Sequence, residues 1–129
     1  MEVIVADGDV LGYVINNQNF PAKTTFLTPP DSPFQLGYIV YPAGGVVKRH
    51  FHKPLVRSIA TSSEALIVKK GRCVIDFYNR KLDLVVMREL AAGDVVLIFG
   101  GGHGLRMLED TVILEVKQGP YFDGDKGYF

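Results

Sequence analysis

The chain has 129 residues, of which 47% are hydrophobic and 22% charged; this size is typical of one globular domain, and the composition excludes intrinsic disorder. Fourteen Lys and Arg residues balance fourteen Asp and Glu residues, whereas a dedicated nucleic-acid-binding domain is expected to be markedly basic. Length and charge therefore predict a single domain over residues 1–129 that binds no nucleic acid.

The cysteine content and the first residues bear on the compartment. The only cysteine, Cys73, excludes an internal disulfide and fits a reducing environment. Acidic side chains stand near the start of the chain, where a secretory signal peptide carries basic ones. No apolar run approaches the roughly 18 residues of a membrane span. We therefore expect a cytoplasmic protein without a membrane partner.

Short β-branched apolar runs alternate with turn residues along the chain, and this pattern predicts an all-β sandwich or barrel. A capping-box pattern precedes residue 65, but too few residues follow it before Gly71 to favour a helix over a strand. The expected strands cover residues 36–41, 65–68, 73–78, 82–87, 95–99 and 112–116.

Two segments flank the predicted barrel core, which spans about residues 36–117. Residues 1–35 form a lead-in, and residues 118–129 form a tail with four aromatic side chains. Because exposed aromatic side chains are costly in water, we expect the tail to pack on the barrel or on a second subunit. A homodimer is the default expectation, since symmetric pairs are the commonest oligomers.

Two of the three histidines, His50 and His52, are separated by one residue. On a strand, residues i and i+2 point to the same face, roughly 6.5–7 Å apart. Two imidazoles placed in this way can converge on one metal ion. A surface location on a basic strand is the alternative interpretation of the same pair.

Glu64 and His103 are the other candidate ligands. Glu64 shares the strand parity of Leu66 and Val68, and a carboxylate on such a face needs an ion-pair partner, a proton or a metal. His103 likewise shares the parity of two apolar residues that follow it. Three imidazoles and one carboxylate form a ligand set suited to divalent Fe, Mn, Zn, Ni or Co. A solvated Glu64 and a His103 in a turn remain open as alternatives.

The spacing of these residues resembles the two motifs of the cupin superfamily. The first motif, G-x5-HxH-x3,4-E-x6-G, is matched by Gly44 with His50 and His52, and by Glu64 with Gly71. Eleven residues separate His52 from Glu64, more than in the motif. The resemblance implies a double-stranded β-helix, or jelly-roll barrel.

The second cupin motif, G-x5-P-x-G-x2-H-x3-N, is matched in part. Gly93 and Gly101 stand at its glycine positions, Phe99 replaces its proline, and His103 falls one residue early. The resemblance thereby implies a divalent metal ion held by His50, His52, Glu64 and His103.

The chain is similar, more narrowly, to small single-domain cupins associated with bacterial surface-sugar biosynthesis. The similarity lies in the His-x-His-Lys-Pro segment at 50–54, the Gly-Gly-His-Gly turn at 101–104 and the Glu-Val-Lys-Gln-Gly-Pro-Tyr segment at 115–121. It implies a role in carbohydrate biosynthesis without assigning a reaction.

Basic side chains surround the predicted histidine pair. No acidic residue lies between Asp31 and Glu64, while four Lys and Arg residues fall there. Among them, Arg57 and Lys48 are the predicted binding residues for an anionic group, because a guanidinium can hold a carboxylate or phosphate in bidentate fashion. A surface charge is the alternative role for each.

The sequence thus predicts a metal-binding cupin that binds or transforms a small anionic or sugar-like molecule, with the catalytic residues unassigned. One alternative is a metal-free isomerase or epimerase acting on a sugar or sugar nucleotide. The other is a non-catalytic ligand-binding or dimerisation module.

Overall fold

The computed structural model describes residues 1–129. It contains ten β-strands and no helix, which confirms the all-β prediction. No helix capable of crossing a membrane is present. The strands are β1 Glu2–Ala6, β2 Asp9–Ile15, β3 Thr25–Phe26, β4 Gly37–Tyr38, β5 Glu64–Lys70, β6 Arg72–Tyr78, β7 Leu84–Ala91, β8 Val95–Ile98, β9 Gly102–Met107 and β10 Val112–Lys117.

The chain forms two compact units. The main unit comprises Met1–Asn17 and Thr61–Phe129, and the inserted unit comprises Gln18–Ala60. The inserted unit holds only β3 and β4, which pair antiparallel through Thr25 with Tyr38 and Phe26 with Gly37. Most of its residues lie outside regular strands.

The main unit contains two antiparallel sheets. The larger has the strand order β1-β2-β8-β5-β10, and the smaller has the order β7-β6-β9. The strands form separate sheets and not one closed barrel. Consecutive strands change sheets at Gly71, between β5 and β6, where the backbone has a φ of +83° that favours glycine.

A shared hydrophobic core lies between these two sheets. Strand β6 alternates as its sequence predicts, since Cys73, Ile75 and Phe77 are all fully buried. Leu66 and Val68 of β5 belong to the same buried cluster. Burying one large aliphatic or aromatic side chain contributes about 1.5–3 kcal/mol to folding. The shared core is therefore what holds the two sheets against each other.

The five strands predicted between residues 65 and 116 are confirmed, with boundaries shifted by at most four residues, whereas β9 was not among the predicted strands. The expected strand at 36–41 is reduced to Gly37–Tyr38. The lead-in, which was expected to precede the barrel core, instead contributes β1 and β2 to the larger sheet. These two strands join at Asp7 and Gly8, which both have positive φ values.

The C-terminal tail is partly packed on the main unit. The ring of Phe129 lies edge-on to that of Tyr78, with centroids 5.0 Å apart. All four tail aromatics are exposed, Phe129 among them at 66%. The tail thus makes one ring contact with its own sheet, but the expected packing of its aromatic side chains is not found within this chain.

Candidate functional site

Glu64 is a buried carboxylate at the first position of β5. Its side chain is only 8% exposed, and it shares the buried face of Leu66 and Val68 as the alternation predicts. One oxygen, Oε1, lies 3.2 Å from Nζ of Lys117, and Oε2 lies 3.2 Å from Nε2 of His103. The expected requirement for a partner is thus met by two side chains.

Strand pairing accounts for the contact with Lys117. In the antiparallel register of β10 with β5, Lys117 stands directly opposite Glu64, and opposite charges at such positions attract each other. Lys117 also lies 2.8 Å from Asp125 of the tail. Hydrogen bonds to Asp125 and then to Glu64 raise the pKa of Lys117 above its ordinary value. The ammonium group therefore stays charged at neutral pH and neutralises the buried carboxylate.

His103 reaches Glu64 from the smaller sheet. It is the second residue of β9 and pairs with the fully buried Phe77, so it lies on the core side of that sheet, as expected. Leu105 and Met107 share this side, yet both are exposed, because β9 is an edge strand and no further strand covers them. The His103 side chain is 30% exposed and is accessible to a small molecule.

Nε2 of His103 faces the carboxylate of Glu64, 3.2 Å from Oε2. Because a carboxylate ion only accepts hydrogen bonds, the hydrogen of a neutral His103 ring is expected on Nε2. Nδ1 is the ring nitrogen that this contact leaves free. A carboxylate that orients an imidazole in this way is a recurrent arrangement for proton transfer.

His50 and His52 lie together in the inserted unit. Their ring centroids are 5.3 Å apart, with the ring planes nearly perpendicular. The strand geometry expected for this pair is wrong, because residues 45–60 form no strand, and Phe51 between the histidines is 80% exposed. The two imidazoles are neighbours through the local path of the chain and not through strand alternation.

The tautomer of His50 is also fixed by a hydrogen bond. Its Nδ1 lies 2.8 Å from the backbone carbonyl oxygen of Lys48. Because a carbonyl can only accept, Nδ1 carries the hydrogen and Nε2 keeps its lone pair when the ring is neutral. A histidine oriented in this way is arranged as metal-ligating histidines are.

The two predicted binding residues for an anion are both exposed and both belong to the inserted unit. Lys48 supplies its carbonyl to His50, and Arg57 lies in the irregular stretch that follows. The four predicted metal ligands are brought together as two pairs, His50 with His52 and Glu64 with His103. No group of three or more His, Cys, Asp or Glu side chains is arranged to hold a metal ion.

Comparison with protein-family models, with curated proteins and with solved structures finds no match.

Two side chains of the site were not predicted from the sequence, namely Lys117 and Asp125. Lys117 lies opposite Glu64 through a strand pairing that spans more than 50 positions of sequence. Asp125 reaches Lys117 by a turn of the tail. The only available signal was the buried carboxylate itself, which requires a cation but does not specify which one.

Proposed function

We propose that the chain is a divalent-metal-binding protein of the cupin type that binds or transforms a small anionic or sugar-like molecule. The proposed ligands are His50, His52, Glu64 and His103. The sequence motifs alone join the two pairs in this proposal, since each pair lies in its own unit. Arg57 and Lys48 are the proposed partners of the molecule's anionic group.

The strand order of the main unit supports the proposed double-stranded β-helix. β5 pairs with β10 in one sheet, and β6 pairs with β9 in the other. The chain crosses from the larger sheet to the smaller after β5 and after β8, and it crosses back after β7 and after β9. Nested antiparallel pairing of this kind is expected of a jelly roll, which is built from two Greek keys in facing sheets.

The observation that carries the metal proposal is the pair His50 and His52. Their rings are adjacent. Because Nδ1 of His50 is hydrogen-bonded to the Lys48 carbonyl, Nε2 is the nitrogen that can coordinate a metal ion. Imidazole and carboxylate donors fit Fe, Mn, Zn, Ni or Co. A bound ion of this class would polarise a substrate oxygen or lower the pKa of a bound water.

His103 and Glu64 fit a metal through atoms that are partly engaged. Nε2 of His103 lies 3.2 Å from Glu64, so His103 would bind a metal through Nδ1 or after this contact opens. Lys117 holds the other carboxylate oxygen. We therefore expect the loss of His50 to lower metal affinity more than the loss of His103.

Metal content tests this proposal directly. The purified wild type and the variants His50→Ala, His52→Ala and His103→Ala are dialysed against Zn²⁺ or Mn²⁺, and the bound metal is measured by inductively coupled plasma mass spectrometry. Lys48→Ala is a matched control, because it leaves the backbone carbonyl bonded to His50 in place. One equivalent in the wild type and control, with little in His50→Ala, is expected. Equal metal content in all proteins would refute the proposal.

The contact of His103 with Glu64 favours a second candidate function, a metal-free sugar isomerase or epimerase. Such an enzyme removes a proton from a carbon next to a carbonyl and returns it elsewhere. The free Nδ1 of His103 can accept that proton while Glu64 stabilises the resulting imidazolium. Exchange of substrate protons for deuterium in D₂O, followed by NMR with a keto sugar, measures this step.

The two candidates give opposite results in this exchange assay. Metal-free chemistry predicts exchange that persists with EDTA and in His50→Ala, and that is lost in His103→Gln. Exchange that stops on chelation would exclude the second candidate and support the first.

A further inference from the structure

A cavity of about 510 Å³ lies in the main unit, where the start of β2 meets two connections between strands. These connections are the β6–β7 turn, which contains Arg80 and Leu82, and the β8–β9 turn, which contains Gly100. Neither Glu64 nor His103 lines this cavity. Its volume falls within the roughly 300–1,000 Å³ of small-molecule sites.

The polar rim of the cavity holds one cation and one anion that neutralise each other. Nε of Arg80 lies 2.8 Å from Oδ2 of Asp9 in a salt bridge. This contact leaves the two terminal guanidinium nitrogens of Arg80 as donors and the second oxygen of Asp9 as an acceptor. Thr61 adds a hydroxyl that both donates and accepts. The rim therefore offers donors and acceptors side by side, without the net positive charge that would select an anion.

The other side of the cavity is apolar. Val10, Leu82 and Phe99 line it, and the side chains of Val10 and Leu82 remain substantially exposed to water. Apolar walls with a few polar groups at the rim are typical of sites that bind small molecules.

Leu82 is held in a backbone conformation that leucine rarely adopts. Its φ is +68°, and a bulky residue there costs of order 1 kcal/mol or more. The Asn79 side chain enforces the turn, because its Oδ1 accepts hydrogen bonds from the amides of Lys81 and Asp83, each at 2.9 Å. Unfavourable backbone geometry that places an exposed apolar side chain in a cavity is characteristic of functional sites.

We propose that this cavity binds a neutral polyhydroxylated ring of the size of a monosaccharide. The face of the ring that presents C–H groups packs on Leu82 and Phe99. Its hydroxyl groups form hydrogen bonds with Asp9, Arg80 and Thr61. Each hydroxyl group can donate a hydrogen bond to the carboxylate of Asp9 or accept one from the guanidinium of Arg80. Two adjacent hydroxyl groups can therefore bind both members of the ion pair. This site requires no metal and is independent of the metal site proposed above.

NMR titration tests the proposal on protein treated with EDTA. ¹⁵N-labelled chain is titrated with D-glucose, D-galactose and D-mannose, and separately with inorganic phosphate. At least one hexose is expected to shift the amides of Thr61, Arg80 and Gly100 saturably, with a Kd of about 1–10 mM. Phosphate is expected to leave these amides unshifted at equal concentration.

Gly100→Leu is the decisive variant. A Cβ at Gly100 meets no atom within 4 Å, so the added side chain enters open space beside a cavity-lining position. Gly127→Leu is the matched control, because its Cβ also meets no atom within 4 Å and it lies outside the cavity. Gly100→Leu is expected to weaken hexose binding at least about tenfold, and the control is expected to bind as the wild type does.

Arg80→Met provides a second variant if Gly100→Leu does not fold. It keeps most of the side-chain length and removes the donors, and it is expected to weaken hexose binding by a similar factor. The proposal is overturned if no hexose shifts the cavity amides by 100 mM, which is about tenfold above the expected range. It is equally overturned if phosphate saturates them more tightly, or if the folded variants bind as the wild type does. Because every titration contains EDTA, none of these outcomes depends on the metal site.

Discussion

Replacing Glu64 by Gln separates the charge of the buried carboxylate from its shape. The amide fills the same volume and keeps one oxygen, but it cannot neutralise Lys117. In the wild type the carboxylate has partners at 3.2 Å on both oxygens and is 8% exposed. The variant therefore removes one ion pair without creating a cavity.

The expected loss of stability follows from what remains around Lys117. Deleting one partner of a buried pair costs about 3–5 kcal/mol when the other charge is left without compensation. Lys117 keeps Asp125 at 2.8 Å and is 19% exposed, so its charge remains compensated. We therefore expect Glu64→Gln to lower the free energy of unfolding by only about 1–2 kcal/mol.

The reciprocal change, Lys117→Met, is expected to be more harmful. It leaves the nearly buried Glu64 carboxylate with His103 as its only close partner. The double variant Glu64→Gln with Lys117→Met removes both charges, so it should recover part of the stability lost in Lys117→Met alone. This asymmetry is a consequence of Asp125, which supports Lys117 but does not reach Glu64.

Urea unfolding followed by circular dichroism measures these differences at pH 7. Glu115 lies two positions before Lys117 on β10 and is exposed. Glu115→Gln is therefore the control and should change the free energy of unfolding by less than about 0.5 kcal/mol. Thermal unfolding should show a Tm for Glu64→Gln that is roughly 4–8 °C below the wild type. A Lys117→Met variant that is as stable as Glu64→Gln would show that Asp125 does not compensate the charge of Lys117.

Three further predictions concern other buried or paired groups. The pKa of the fully buried Cys73 thiol is raised, chiefly by burial and to a smaller extent by the nearby Asp94. A thiol reagent at pH 8 should therefore label Cys73 only upon unfolding. Labelling of the folded protein at the rate of a free thiol would contradict the buried position of Cys73. The hydrogen bonds from Arg88, at 2.6 and 2.8 Å, lower the pKa of Glu2; this contribution to stability is complete above about pH 4.5 and is lost as the pH falls through the lowered pKa. The stabilities of wild type and Glu2→Gln should therefore differ at pH 7 and converge as the pH falls below the lowered pKa of Glu2. A difference that stays constant throughout an acid titration would refute the assignment. The Ser63 hydroxyl is buried without a hydrogen-bond partner. In urea unfolding, Ser63→Ala should therefore leave the free energy of unfolding unchanged or raise it by up to about 1 kcal/mol. A decrease of more than about 1 kcal/mol would show that the hydroxyl has a hydrogen-bond partner.

The strands that the sequence predicted correctly are those with strong local alternation. β6 alternates between buried and half-buried residues from Cys73 to Tyr78, and β5 places Glu64 on the face of Leu66 and Val68. Period-two patterning depends only on neighbouring residues, so it can be read without the tertiary structure. The need of Glu64 for a partner followed from the same pattern.

The hairpin of β1 and β2 could also have been predicted. Asp7 and Gly8 stand between two apolar runs, and an Asp-Gly pair in this setting is a strong hairpin signal. Both residues adopt the positive φ that such a turn requires. The hairpin shows that residues 1–35 are not one irregular lead-in.

The partners of Glu64 lay beyond sequence reasoning. Lys117 and His103 reach it through pairings that depend on the register of β10 and the position of β9. Register is set by how whole strands pack, and a shift of one residue would turn Lys117 to the other face. The expectation for His50 and His52 was wrong for the opposite reason, because the local HxH pattern was assigned strand geometry in a segment that forms no strand.

Titration of the metal-free protein with Co²⁺ shows whether His50, His52, Glu64 and His103 bind one metal ion, because the visible absorption of Co²⁺ reports its ligands. We expect saturation at one equivalent, with bands distinct from those of the hydrated ion, and loss of these bands in His50→Ala. Altered bands are expected in His103→Ala, since both pairs are proposed to supply ligands to one ion. A spectrum that stays that of hydrated Co²⁺ throughout the titration of the wild type would rule out the proposed metal site.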